Sequence, residues 1–245
     1  MFKHRHPPHM RLFCCYTPAH EILYRQVFLP SVPKGFPLHS TLIDEPGAGD
    51  FLSPEFLRCI RRKIEMVEAS LQATENELLA WSDVDIRLVN LSAEQLAGEL
   101  VNRGVDILFQ RESPRIPDVN TGFFVCRPTD AVRSFFVRVR QQLDTDTAIN
   151  EQMAVNRLLS ILHKNELPLW GSLPPSYYAR THGWPPPRHL MLYHANYTKG
   201  PDAVGQKLAQ FTELDSILRG GSLARWWSIL RRVPTKLLSL ARAES

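Results

Sequence analysis

The chain is 245 residues long, enough for one α/β domain and an appendage around a full hydrophobic core. Its 44% hydrophobic and 22% charged residues describe a globular protein, and no apolar run nears the roughly 20 residues of a membrane helix. The 29 Lys and Arg against 25 Asp and Glu leave +4, an excess too mild to indicate a nucleic-acid partner.

Residues 1–10 are basic and carry His4, His6 and His9, with no signal-peptide apolar region after them. They are expected to form a disordered leader, adventitious metal binding being the alternative, and the chain is expected to stay in the cytoplasm. Cys14, Cys15, Cys59 and Cys126 lack paired metal-ligand spacing and are expected to be reduced thiols. Cys14 and Cys15 fall in Arg11–Tyr16, a predicted first strand, and should face opposite sides of it. Thr17-Pro18 opens a helix with Ile22, Leu23, Val27 and Phe28 at helical spacing, and Pro30 is expected to stop it. Residues 36–43 read as a second strand and 46–50 as a loop. Ser53-Pro54-Glu55 caps a long amphipathic helix with the stripe Phe56, Leu57, Ile60, Ile64, Val67 and Leu71.

The apolar run Leu78–Ser82 then delivers Asp83-Val84-Asp85. On a strand, the alternation of side chains would put both acids on one face, where they repel unless a cation lies between them. Mn²⁺ or Mg²⁺ suits carboxylate oxygens; a solvated strand end is the plain alternative. A second such pair, Asp144-Thr145-Asp146, follows a helical stretch and reads as a turn or helix cap. A helix is predicted over 92–101 and strands over 106–110 and 120–126. Thr129-Asp130 caps a helix to about Leu143, and Asp146 or Thr147 the next. Residues 167–188 are rich in Pro and aromatics and are expected to line or cover a site, with Tyr177, Tyr178 or Trp184 either stacking on a ligand ring or packing in a loop. A last strand covers 189–194. Alternation of strands and helices argues for a mostly parallel sheet sandwiched by helices.

From residue 219 the composition changes to a basic amphipathic tail. Leu223, Trp226, Trp227, Leu230 and Leu237 form its stripe, and Pro234 interrupts it. Three parts are therefore expected: a leader over 1–10, a domain over 11–218 and a tail over 219–245. The tail would lie on anionic lipid, making the protein peripheral to the inner face of the membrane, or pack on the domain or a partner subunit.

Several segments, in order, resemble the nucleotide-diphospho-sugar transferase family, glycosyltransferases of the GT-A fold. They are Tyr16-Thr17-Pro18-Ala19-His20-Glu21, Trp81-Ser82-Asp83-Val84-Asp85, Phe109-Gln110-Arg111-Glu112-Ser113-Pro114 and Asn120-Thr121-Gly122-Phe123-Phe124-Val125-Cys126-Arg127. Asn150-Glu151-Gln152 with Asn156, and His194-Ala195-Asn196-Tyr197 with Gly200, complete the set, over about residues 11–215. The resemblance implies an α/β fold, a GT-A-like three-layer α/β/α sandwich with a mostly parallel mixed sheet, to which the C-terminal basic amphipathic helix is appended. It also implies a nucleotide-sugar donor (a UDP-sugar), Mn²⁺ or Mg²⁺, a glycan, lipid or protein acceptor, and retention of anomeric configuration.

By the same resemblance Asp83 and Asp85 match the metal-binding acids, and His194 the late histidine that completes the metal site. Ser82 and Asp83, with Asn196 and Gly200, would contact the donor. Lys63 resembles a basic residue aimed at the donor phosphates, with a solvated helix lysine as the alternative. Tyr16 and Thr17 would occupy the base crevice, Tyr16 stacking on uracil or serving as core. Asn120 and Gly122 would admit the donor sugar close to the backbone. Glu151-Gln152 matches an Asp-Gln pair with Glu in place of Asp. Both are candidate catalytic residues, the acid toward sugar or acceptor and Gln152 near the anomeric carbon. The alternative for Glu151 is a favourable charge at a helix start. Lys199 or Lys207 would contact the diphosphate. Two rival functions stay open: a non-catalytic transferase-fold protein at a membrane surface or scaffold, and a phosphohydrolase using Asp83 and Asp85.

Overall fold

The computed structural model describes residues 9–45, 52–74, 76–163, 166–198, 200 and 202–221. Strand β1 (Met10–Tyr16) is split by its alternation. Leu12 and Cys14 enter one core cluster, while Phe13 and Cys15 pack in the other, on the opposite face. All four cysteines are free thiols.

A 3-10 turn over Pro18–His20 leads into α1 (Glu21–Leu23), a π turn over Tyr24–Phe28 and α2 (Leu29–Ser31). Pro30 therefore does not stop this helix. Proline lacks an N–H and its ring crowds the carbonyl four residues back. Here the preceding turn widens, with Leu29 N–H bonded to the Tyr24 carbonyl, and absorbs it. The helix ends instead where Val32 turns extended, as suits a residue before Pro33.

Next come β2 (Leu38–Leu42) and α3 (Pro54–Ala73), whose cap Ser53 accepts the Phe56 N–H. Then follow β3 (Leu78–Ser82), β4 (Ile86–Leu88) and α4 (Ala93–Arg103), which starts in a reciprocal Ser92–Gln95 capping box. Beyond β5 (Ile107–Arg111) and β6 (Val119–Cys126), α5 (Asp130–Thr145) is capped by Thr129. The cap of α6 (Glu151–Ile161) is Asn150, which accepts the Met153 N–H, rather than Asp146 or Thr147. Asp146 instead accepts the Ala148 N–H and pairs with Arg157, so the second Asp-x-Asp closes a turn. Short strands β7 (Trp170–Ser172), β8 (Tyr177–Ala179) and β9 (Leu192–His194) complete the set.

The main sheet runs β2-β1-β3-β6-β5-β7, with β6 alone reversed, and β4-β9-β8 form a second, smaller sheet. Helices α3, α5 and α6 cover one face of the main sheet. There Trp81, Phe124 and Phe136 stack in sequence, tying β3 and β6 to α5. The small sheet, the 18–31 helical segment, α4 and the helix over 203–221 lie on the other. Each fully buried aromatic in these clusters contributes about 1.5–3 kcal/mol, so the sheet between them is a rigid platform.

Residues 167–188 hold more regular structure than expected. Tyr177 and Tyr178 are 1% and 2% exposed strand residues, which removes them as sugar-stacking rings, and Trp184 packs beneath the Arg180 guanidinium. The helix over 203–221 runs through residue 219, where the tail was expected to start. The tail stripe from Leu223 to Leu237, Lys199, the loop over 46–50 and leader residues 1–8 lie outside the described residues. Among the described residues no helix is long and apolar enough to cross a membrane.

Candidate active site

The two acids do not share one face of a strand. After Ser82 the chain leaves the main sheet, turns at Val84-Asp85 and enters the small sheet at Ile86. Buried Val84 anchors this turn in the core. At its start the Asp83 N–H donates to the Gly122 carbonyl at 2.7 Å; at its end the Asp85 carbonyl accepts the Ala195 N–H at 2.9 Å. The acids therefore sit where the two sheets meet. His194 reaches them because β9 pairs antiparallel with β4, Ile86 opposite His194.

The result is a compact ionic cluster. Lys63, 6% exposed in the middle of α3, lies 2.7 and 2.9 Å from the two oxygens of Asp83 and 2.8 Å from Glu151 Oε1. It is not a solvated helix lysine. Lys207 Nζ reaches Asp85 Oδ2 at 2.7 Å, and His194 Nε2 faces Asp85 Oδ1 at 3.4 Å. That Oδ1 is buried and accepts no hydrogen bond. His194 Nδ1 lies 2.9 Å from Gln110 Oε1.

Electrostatics follow the geometry. Burial acts to lower the Lys63 pKa, but the Asp83 and Glu151 carboxylates outweigh it and the net shift is upward. Burial raises the Asp83 carboxyl, and the neighbouring Asp85 and Glu151 charges add to it against Lys63. Burial would raise Asp85 too, yet the Lys207 ammonium outweighs it and the carboxyl lies well below the usual carboxylate range. Burial, then the Lys207 charge, pushes His20 downward, so the 18–20 turn lies within the field of the site.

One ligand atom from each of Asp83, Asp85 and His194 lies within 4.8 Å of the others. A hard divalent cation with ligands at about 2.0–2.2 Å spans nearly that distance, and small side-chain rotations close the difference. The unpaired Asp85 Oδ1 is the kind of buried acceptor that such an ion would satisfy. The residues present therefore fit a divalent cation.

Other expected residues are placed as follows. Tyr16 stacks on Tyr24 with ring centroids 4.2 Å apart, which occupies one face of the ring. Buried Thr17 is 2.9 Å from His20 Nδ1. Ser82 is fully buried and its hydroxyl donates to the Asp83 carbonyl, so it shapes the turn. Asn120 accepts the Gly122 N–H and donates to Glu112 Oε2. At Gly122 a Cβ would collide with the His194 ring, so the close neighbour that glycine admits is this imidazole. Glu151, 6% exposed, accepts from Lys63 and Thr121, while Gln152 donates to Glu112 Oε2 at 3.1 Å. Asn196 ties its loop to Thr181 through both side-chain atoms. Gly200 adopts φ +75°, a conformation open to glycine.

Gln110, Glu112 and His20 were not singled out from the sequence, though all three lie in the resembling segments. Their signal is tertiary. Gln110 meets His194, and Glu112 holds both Asn120 and Gln152.

A profile described as nucleotide-diphospho-sugar transferase matches residues 33–203. Among curated proteins none matches significantly in sequence. A solved glycosyltransferase involved in the glycosylation of the major capsid of PBCV-1 superposes with a TM-score of 0.58 at 12% identity, covering 84% of this chain and 100% of that one. This likeness is one of fold, and the fold is GT-A. Mouse xyloside xylosyltransferase 1, in its apo form, gives a TM-score of 0.47 at 14% identity over 78% of this chain and 99% of its own.

Proposed function

This chain belongs to the nucleotide-diphospho-sugar transferase family and is a glycosyltransferase, and on that premise we propose that it transfers a sugar from a UDP-sugar to a glycan, lipid or protein acceptor with retention of anomeric configuration. The observation that carries this reading is the meeting of Asp83, Asp85 and His194 around an acceptor atom that nothing satisfies. When bound there, Mn²⁺ or Mg²⁺ supplies Lewis-acid stabilisation of the charge that builds on the departing diphosphate.

The protein groups have separable tasks. Lys63 holds Asp83 in place, and Glu151 acts through Lys63, since it is turned toward that ammonium and buried behind it. Lys207, whose ammonium pairs with Asp85, is the cation that meets a phosphate oxygen in this reading. Gln152 is the polar group near the anomeric carbon, with its amide set by Glu112. Asn120 lies on the sugar side, Gly122 leaves room for the His194 ring, and Tyr16 with Thr17 form the wall of the base crevice. Asn196 and Gly200 shape the loop that follows His194 along the diphosphate.

The test combines binding and turnover. UDP with Mn²⁺ should raise the melting temperature of the wild-type chain more than either alone. Asp83→Asn and Asp85→Asn should stay folded, lose that joint stabilisation and lose UDP-sugar turnover or hydrolysis by about 100-fold or more. Unchanged metal-dependent turnover in both variants would remove the proposal.

A further inference from the structure

We propose, on the basis of the cation site above, that Gln110 is a positioning residue that sets the tautomer and orientation of His194, leaving its Nε2 lone pair facing Asp85 Oδ1. Gln110 is 0% exposed, so both ends of its amide must find partners within the protein. Its Nε2 donates to the Tyr177 carbonyl at 3.2 Å. A carbonyl only accepts, which settles which end of the amide points there. The other end, Oε1, therefore meets His194 Nδ1 at 2.9 Å. An amide oxygen also only accepts, so the hydrogen of the neutral imidazole resides on Nδ1. Nε2 is then bare and lies 3.4 Å from Asp85 Oδ1, an oxygen with no donor of its own. Two acceptors facing each other across that gap call for a cation between them.

The backbone explains why Gln110 reaches so far. Phe109 pairs with Phe124, but the next residue, Gln110, pairs with Asn120, so β6 bulges across Thr121–Phe123. The freed Gly122 carbonyl takes the Asp83 N–H, and the missing Gly122 side chain leaves room for the imidazole. The ring is thus held against Gly122 and fixed at Nδ1 by Gln110. A metal-ligating histidine commonly has its second nitrogen fixed in this way, and loss of such a partner typically weakens metal affinity 10–100-fold.

The experiment uses the full chain without metal in mildly alkaline buffer. Long-range ¹H–¹⁵N NMR reads the His194 tautomer, with His194→Gln supplying the resonance assignment. Mn²⁺ uptake is followed by the EPR signal of the free ion. We expect wild-type His194 to carry its hydrogen on Nδ1. In Gln110→Leu the tautomer should become mixed and Mn²⁺ affinity should fall about 10–100-fold. A wild-type His194 with its hydrogen on Nε2 overturns the proposal even if Gln110→Leu fails to fold. So does a folded Gln110→Leu protein that binds Mn²⁺ as tightly as wild type, and both results leave the cation site standing. A wild-type chain that takes up no Mn²⁺ instead overturns the cation site itself.

Discussion

Lys63→Met should strand two carboxylates at the centre of the site. The lysine makes contacts of 2.7 and 2.9 Å with Asp83 and 2.8 Å with Glu151 while itself only 6% exposed. Charge-assisted hydrogen bonds contribute about 1.5–3 kcal/mol each, and removing one partner of a buried pair costs about 3–5 kcal/mol. The two carboxylates do not share that cost equally. The Asp83 side chain is 31% exposed, so water can replace part of what it loses, whereas the Glu151 side chain is 8% exposed and stays stranded. The expected loss is therefore about 3–4 kcal/mol, or about 6–16 °C in Tm for a domain of this size. Chemical denaturation and thermal melts followed by far-UV circular dichroism measure it. Adding Glu151→Gln removes the stranded charge and should recover roughly half of the loss. A Lys63→Met protein within about 1 kcal/mol of wild type would refute the reasoning, since exposed ion pairs are worth no more than that. A second substitution that deepened the loss would refute it as well.

Gly122→Ala should drive a methyl into the His194 ring, costing about 1–3 kcal/mol and most of the Mn²⁺ affinity; wild-type values in melts and metal titration would contradict this packing. Glu112→Ala frees the Gln152 and Asn120 amides, so kcat should fall about tenfold or more with the donor KM little changed, a split that steady-state kinetics would show. Lys207→Met bears on acid stability. Because the native Asp85 value is depressed, its contribution is present above the ordinary value of 3.8 and is lost as pH falls through the lower native one. Removing Lys207 raises that native value, so acid unfolding should begin at a higher pH. An unmoved midpoint in a circular dichroism pH titration would show that Lys207 does not govern Asp85.

Local chemistry was legible in the chain itself. Ser53, Ser92 and Thr129 mark helix starts because a capping oxygen reaches an N–H only three residues on. The two-residue alternation of β1 sent Cys14 and Cys15 to separate cores, and the α/β order implied the layered sheet. Competition between neighbouring local options was harder to read. Asn150 displaced Asp146 as a cap, and a π turn carried the helix past Pro30.

The site was readable as a set of residue types, and its arrangement was not. Asp83 and Asp85 are ligand-like by chemistry, but the turn they occupy exists because the chain changes sheets there. His194 meets them through the pairing of β4 with β9, and Gln110 finds its imidazole through a bulge in β6. Glu112 touches Gln152 only when β5 and α6 are packed together. Sequence spacing governs contacts within one turn or one strand. Contacts between distant segments depend on which strands pair and in what register, a choice made by burying both faces of the sheet at once.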